Sequence, residues 1–121
     1  MDTRSALRAL VLALFLLAAP HGAGAGQFLA AVEDLPLMPG LAETADGSLV
    51  FETPQGRIIE ASAEGRLKPE AVQSFYDATL PQLGWQPAGG GFFRREGEVL
   101  TVTVGGVGVG RVLVHFSVLP E

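Results

Sequence analysis

Two stretches of the chain, residues 98–104 and 111–118, alternate between apolar and polar side chains. A period of two is that of a β-strand, whose successive side chains point to opposite faces of a sheet. One face of each predicted strand is apolar and is expected to lie against a core. The other face is more polar, and we interpret it as a candidate interaction face. It comprises Thr101, Thr103, Leu113, His115 and Ser117.

Shorter strands are predicted on both sides of the middle of the chain. Residues 48–52 and 57–63 are rich in Val, Ile and Phe, and the Pro-Gln-Gly sequence at 54–56 separates them. This arrangement predicts a β-hairpin. Residues 92–95 form another short apolar run before the Glu-Gly turn at 96–97, which leads into the first of the two long strands.

Between these strands the spacing of apolar residues changes to steps of three and four, which predicts an amphipathic α-helix of about 11 residues. Pro69 suits the first position of a helix. Pro81 cannot continue a regular helix, so the helix is expected to end near Leu80. Gly84 can adopt the left-handed conformation of a helix exit, which allows Trp85 to fold back on the core.

These elements predict an α+β domain over residues 46–121, in the order β-β-α-β-β-β. About five strands form a mostly antiparallel sheet, and the single helix packs on one of its faces. Residues 26–45 are apolar and contain Pro36 and Pro39. We interpret them as an arm without regular secondary structure, since proline interrupts such structure, that lies over the domain.

The N-terminus has the features of a secretory signal peptide. Arg4 and Arg8 precede an apolar run at residues 9–19, and Ala-Gly-Ala ends at Ala25. The run is shorter than the roughly 17 to 25 residues that span a membrane. Residues 1–25 are therefore predicted to be cleaved, which places the protein in the periplasm or outside the cell. The alternative is an uncleaved segment 9–19 that anchors the chain in the inner membrane.

The amino-acid composition argues against several classes of function. The 121 residues include no cysteine, so no disulfide framework, thiolate nucleophile or thiolate metal site is expected. After residue 25 there are twelve acidic and six basic residues, a net charge of −6. This acidic balance argues against a nucleic-acid partner, which would require clustered Lys and Arg. Membrane contact is expected only through an uncleaved signal segment.

No sequence motif points to a catalytic site, a cofactor or a metal. His115 is the only histidine after residue 25, whereas a zinc site needs more ligands. Ser62, Ser74 and Ser117 lack the surrounding sequence of a nucleophile elbow. The glycine-rich residues 105–110 precede a predicted strand and not a helix, so a hairpin loop fits better than a phosphate cradle.

The segment at residues 75–85, FYDATLPQLGW, resembles one found in small uncharacterised exported proteins of proteobacteria. Residues 93–96, FRRE, and 35–41, LPLMPGL, are similar to further parts of those proteins. The resemblance implies export and assigns no catalytic residue.

Two functions remain open at this stage. The first is a non-enzymatic module that binds an envelope protein or takes part in an assembly. The alternative is a small apolar-ligand binder, or a minor hydrolase, with a pocket between the helix and the sheet. The absence of a convergent polar cluster in the sequence favours the first.

Overall fold

The computed structural model of the protein describes residues 27–121. The predicted signal peptide and its cleavage site lie outside the described residues, so cleavage stays a prediction. Within residues 27–121, no helix has both the length and the apolar character needed to cross a membrane.

Nine strands and one α-helix make up this part of the chain. The strands before the helix are β1 (Phe28–Leu29), β2 (Val32–Pro36), β3 (Leu41–Glu43), β4 (Leu49–Thr53) and β5 (Gly56–Gly65). Helix α1 spans Pro69–Thr79, and a 3-10 turn follows at Leu80–Leu83. The strands after the helix are β6 (Gln86–Gly89), β7 (Phe92–Arg95), β8 (Glu98–Gly106) and β9 (Val112–Pro120).

The α+β class and the antiparallel sheet are confirmed, but the predicted order and strand number are wrong. Five strands precede α1 and four follow it, whereas two and three were expected. The additional strands come mostly from the arm, where Pro36 and Pro39 were expected to prevent regular structure. Pro36 ends β2, and Pro87 lies in β6 at the sheet edge. Proline is tolerated at such edges because no second neighbour requires its missing N–H.

Seven strands form one antiparallel sheet in the order β3-β5-β9-β8-β7-β6. Strand β4 also pairs with β5, so that β3 and β4 follow one another along the same edge. Strand β9 lies in the middle, between β5 and β8. The first two strands, β1 and β2, form a separate hairpin.

Helix α1 packs on one face of this sheet. Val72 and Tyr76 are buried, and the rings of Tyr76 and Phe116 make an edge-on contact with centroids 5.4 Å apart. The helix begins with Pro69 at its first turn, and the 3-10 turn ends at Gly84 with φ of 91°. Both ends were predicted, and both are confirmed.

The arm supplies a large part of the core. Its buried side chains are Leu29, Val32, Leu35, Leu37 and Leu41. These side chains pack into the same core as the rest of the domain, and β1, β2 and β3 give the segment regular structure. Burial of these side chains is what holds the β1–β2 hairpin in place, since an isolated two-stranded hairpin is marginally stable.

Charged side chains pair at one end of the sheet. Arg95 donates to Asp34 at 2.7 Å and to the carbonyl oxygen of Leu83 at 3.0 Å, and its guanidinium lies 4.2 Å from the centre of the Trp85 ring. The hydrogen bond from Arg95 lowers the pKa of the Asp34 carboxyl below its ordinary value. Arg95 is thus a packed structural residue, and its side chain is only 16% exposed.

Candidate functional site

The five side chains predicted to share a face do so in the structure, on the side of the sheet that α1 leaves uncovered. In the β8–β9 ladder, Thr101 lies opposite Ser117, and Thr103 lies opposite His115. Leu113 lies opposite a glycine at the far end of the same ladder. We call this side of the sheet the outer face. Backbone hydrogen bonds hold β8 and β9 side by side in register, so the five side chains have fixed positions relative to one another.

Strand β5 adds two polar residues to the outer face that sequence analysis did not place there. The β5–β9 register brings Ser62 opposite His115 and Glu60 opposite Ser117. Nδ1 of His115 lies 2.9 Å from Oγ of Ser62, while Nε2 of His115 contacts a carboxylate oxygen of Glu60. Oγ of Ser117 donates to the other oxygen of Glu60 at 3.1 Å. We call Glu60, Ser62, His115 and Ser117 the polar cluster.

The polar cluster contains the serine, histidine and acid connectivity of hydrolytic triads, but its surroundings differ from theirs. A triad works beside N–H donors aimed at a developing oxyanion. Ser62 lies inside a strand whose backbone bonds to the strands on either side, so its N–H groups lie in the plane of the sheet and its hydroxyl stands out of that plane. The arrangement orders a carboxylate and an imidazole on an open surface.

Next to the polar cluster, apolar side chains cross the outer face. Phe51 lies opposite Ile58 in the β4–β5 ladder, and Leu119 lies opposite Val99 in the β8–β9 ladder. Continuing the β5–β9 register by one residue joins the two pairs. We call Phe51, Ile58, Leu119 and Val99 the apolar row. Phe51 is 56% exposed and Leu119 is 40% exposed.

Two further apolar side chains border the polar cluster. Leu49, 58% exposed, lies beside Glu60 on β4, and Phe92, 48% exposed, lies beside Thr101 on β7. The outer face therefore has a polar, hydrogen-bonded centre with exposed apolar side chains on three sides.

The residues missed by sequence analysis had a partial signal. Alternation within residues 57–63 places Ile58, Glu60 and Ser62 on one side of a strand. What the sequence did not reveal is that β5 and β9 are neighbours, because more than fifty residues separate Ser62 from His115.

On the helix side of the sheet there is a surface hollow of about 710 Å³ between α1 and strands β6 to β8. Its wall includes Tyr76 and Asp77 of α1, Phe93 of β7 and Val104 of β8. The alternative function, a small apolar-ligand binder, predicts a pocket between the helix and the sheet, and this hollow has that position.

Among residues 27–121 there is no group of three or more His, Asp or Glu side chains placed to hold a metal ion. His115 and Glu60 are two ligands, fewer than a zinc site uses. Comparison with protein-family models, with curated proteins and with solved structures found no match to this chain. The relationship to small exported proteins that residues 75–85 imply therefore stays a prediction.

Proposed function

We propose that this protein is an exported, non-enzymatic module that binds another envelope protein through its outer face. The partner that fits this face has an apolar surface bordered by basic side chains. The observation that carries the proposal is the apolar row beside the polar cluster, in which Phe51 and Leu119 are exposed and Ile58 and Val99 are half-buried.

The apolar row supports binding because exposure of this kind is costly. Contiguous exposed apolar surface on a soluble domain marks interaction sites more often than scattered single residues do. Phe51 and Leu119 belong to one row across neighbouring strands, so that a single partner surface could cover them together. Covering them would remove apolar area from water, at roughly 25 cal/mol for each Å².

The polar cluster supports specificity. Its hydrogen bonds hold the Glu60 carboxylate and the His115 ring in one arrangement before any partner arrives, which lowers the entropic cost of binding. Glu60 remains accessible, since its side chain is 34% exposed. A basic partner residue can therefore reach it, and the acidic balance of the chain favours such a partner on approach.

Site-specific photo-crosslinking in the native envelope tests the proposal. A photoreactive amino acid replaces Leu119 on the outer face, and in a matched control it replaces Val109, which is 103% exposed in the loop between β8 and β9. We expect a discrete crosslinked product from position 119 and none from position 109. Equal products from both positions would contradict a binding site on the outer face.

A triple substitution identifies the role of the predicted face directly. Thr101→Lys, Leu113→Lys and His115→Lys together place three positive charges on it. A folded triple variant should lose the position-119 product, because lysine removes the apolar and hydrogen-bonding matches and repels a basic partner. Retention of that product would remove this part of the face from the site.

The second candidate, a small apolar-ligand binder, is supported by the hollow beside Tyr76 and Phe93. Native mass spectrometry of protein purified from the envelope distinguishes the two candidates. Added mass that disappears in the variant Val104→Lys, which changes a residue that lines the hollow on the helix side of the sheet, would favour the ligand. An unmodified mass together with the position-119 crosslink would favour protein binding.

A further inference from the structure

Strand β4 is an edge strand whose exposed side chains are mostly apolar. Leu49, Val50 and Phe51 are each more than half exposed, on both faces of the sheet. The opposite edge is β6, which is short, contains Pro87 and has an irregular register. Proline and irregularity at an edge hinder the addition of a further strand, and an exposed apolar edge invites it.

The register shows which backbone groups of β4 are free to pair. The carbonyl oxygen of Ser62 accepts a hydrogen bond from the N–H of Thr44 at 2.9 Å, on the same edge of β5. Because alternate residues of a strand bond to opposite sides, the even-numbered residues of β5 bond toward β4. Their partners on β4 are residues 49, 51 and 53. Val50 and Glu52 therefore direct their N–H and C=O groups outward, away from the sheet.

We propose that two copies of this chain pair through β4, antiparallel, about a two-fold axis at Phe51. In this register Val50 of one copy lies opposite Glu52 of the other, and each such pair exchanges two backbone hydrogen bonds. The axis generates the pair twice, so all outward groups of both strands are used. The interface is self-complementary, as a two-fold interface must be.

Other registers of the same edge are poorer. An axis at Glu52 would place the two Glu52 carboxylates directly opposite each other, and like charges in that position destabilise a sheet. An axis at Val50 would place Glu52 of one copy opposite Ser48 of the other, and Ser48 precedes β4. With the axis at Phe51, the two phenylalanines face each other across the axis on the outer face.

This pairing would join the two apolar rows. Phe51 is the end of each row at the β4 edge, so that the rows of the two copies would become one band across a fourteen-stranded sheet, twice the seven strands of one copy. A five-residue edge buries less than the roughly 1,600 Å² of a standard interface. The dimer is therefore expected to be weak and to form with rising protein concentration.

Opposite charges at position 51 test the axis itself. Phe51→Lys and Phe51→Glu would each place like charges face to face, so each variant alone should be monomeric in sedimentation velocity at concentrations where the unaltered protein dimerises. A mixture of the two should recover a dimer, and native mass spectrometry should show it to be the mixed species. Phe51 is exposed, so both variants should keep the melting temperature within a few degrees.

Val109→Lys is the matched control, since it adds the same charge at an exposed position far from β4, and it should leave dimerisation unchanged. The proposal is overturned if the unaltered protein remains monomeric up to about 1 mM. It is also overturned if either single variant dimerises as the unaltered protein does, or if the mixture stays monomeric. The triple lysine variant of the outer face, which leaves β4 intact, should still dimerise, so the two proposals can fail separately.

Discussion

The hydroxyl of Tyr76 donates a hydrogen bond to the carbonyl oxygen of Pro36 at 2.8 Å and accepts one from the N–H of Met38 at 3.2 Å. One side chain of the helix thus satisfies two backbone groups of the arm, about forty residues earlier in the chain. Burial of this hydroxyl raises the pKa of Tyr76 to about 12. The contact ties the arm to the helix at the end of β2, where Pro36 is the last residue of the strand.

The variant Tyr76→Phe should be less stable than the unaltered protein by about 1–3 kcal/mol, because it leaves the Pro36 carbonyl and the Met38 N–H without their partner. The ring contact with Phe116 is kept, so the loss isolates the hydroxyl. Urea unfolding of both proteins measures the difference. Equal stability would mean that apolar packing alone holds the arm.

Alkaline conditions should weaken the fold through the same hydroxyl. The folded pKa of about 12 lies above the ordinary value of 10.0, so the unfolded chain releases the Tyr76 proton more readily. The stability due to the buried hydroxyl is fully present below pH 10 and is lost as the pH rises from 10 toward 12. The stability difference between the unaltered protein and Tyr76→Phe should shrink over this range; a constant difference would contradict the assignment.

Asp34 should contribute to stability at neutral pH and not in acid. Its hydrogen bond from Arg95 lowers its folded pKa below the ordinary 3.8. The contribution is therefore present above the unfolded pKa and is lost as the pH falls through the folded one. The variant Asp34→Asn should be slightly less stable than the unaltered protein at pH 7, and the difference should shrink as the pH falls below 3.8. Asp34 is half exposed, so a large difference is not expected.

Trp85 after the helix and Phe75 within it should differ in their contribution to stability. Trp85 is 1% exposed, and Trp85→Ala should cost roughly 3–5 kcal/mol. Phe75 is only partly buried and packs against the outside of the core. Phe75→Ala should therefore cost less than about 2 kcal/mol. Thermal unfolding of both variants decides the ranking, and an equal loss would place Phe75 in the core.

Export should remove residues 1–25. The short apolar run and the Ala-Gly-Ala sequence at residues 23–25 predict cleavage after Ala25. Intact mass spectrometry of protein from the envelope fraction should show a chain that begins at Gly26. A mass that includes residues 1–25 would favour the anchored alternative.

Local patterns in the sequence predicted local structure well. The helix between Pro69 and Leu80, the left-handed Gly84 and the long alternating strands depend on residues near one another in the chain, and all are present. The strands of the arm were missed because short strands next to proline carry no periodic signal. They form because buried leucines hold them against the rest of the domain, which is a tertiary effect.

The candidate site shows the same division. Alternation placed His115 and Ser117 on the outer face correctly. Glu60 and Phe51 were missed because they reach that face through the pairing of β5 with β9 and with β4. Pairing between distant strands is decided by how the whole sheet closes and is not encoded in any short segment.

The central position of β9 has a consequence for when this sheet can form. Strands β5 and β8 both pair with β9, which follows every other strand of the sheet in chain order. During synthesis from the N-terminus, the strands on the β5 side and those on the β8 side therefore cannot be joined until residues 112–120 are available. The pairing of β5 with β9 joins Ile59 to Val118 across almost half the chain, and long-range contacts of this kind slow folding. A fragment that lacks residues 112–120 therefore cannot form this sheet, since β5 and β8 would have no strand between them.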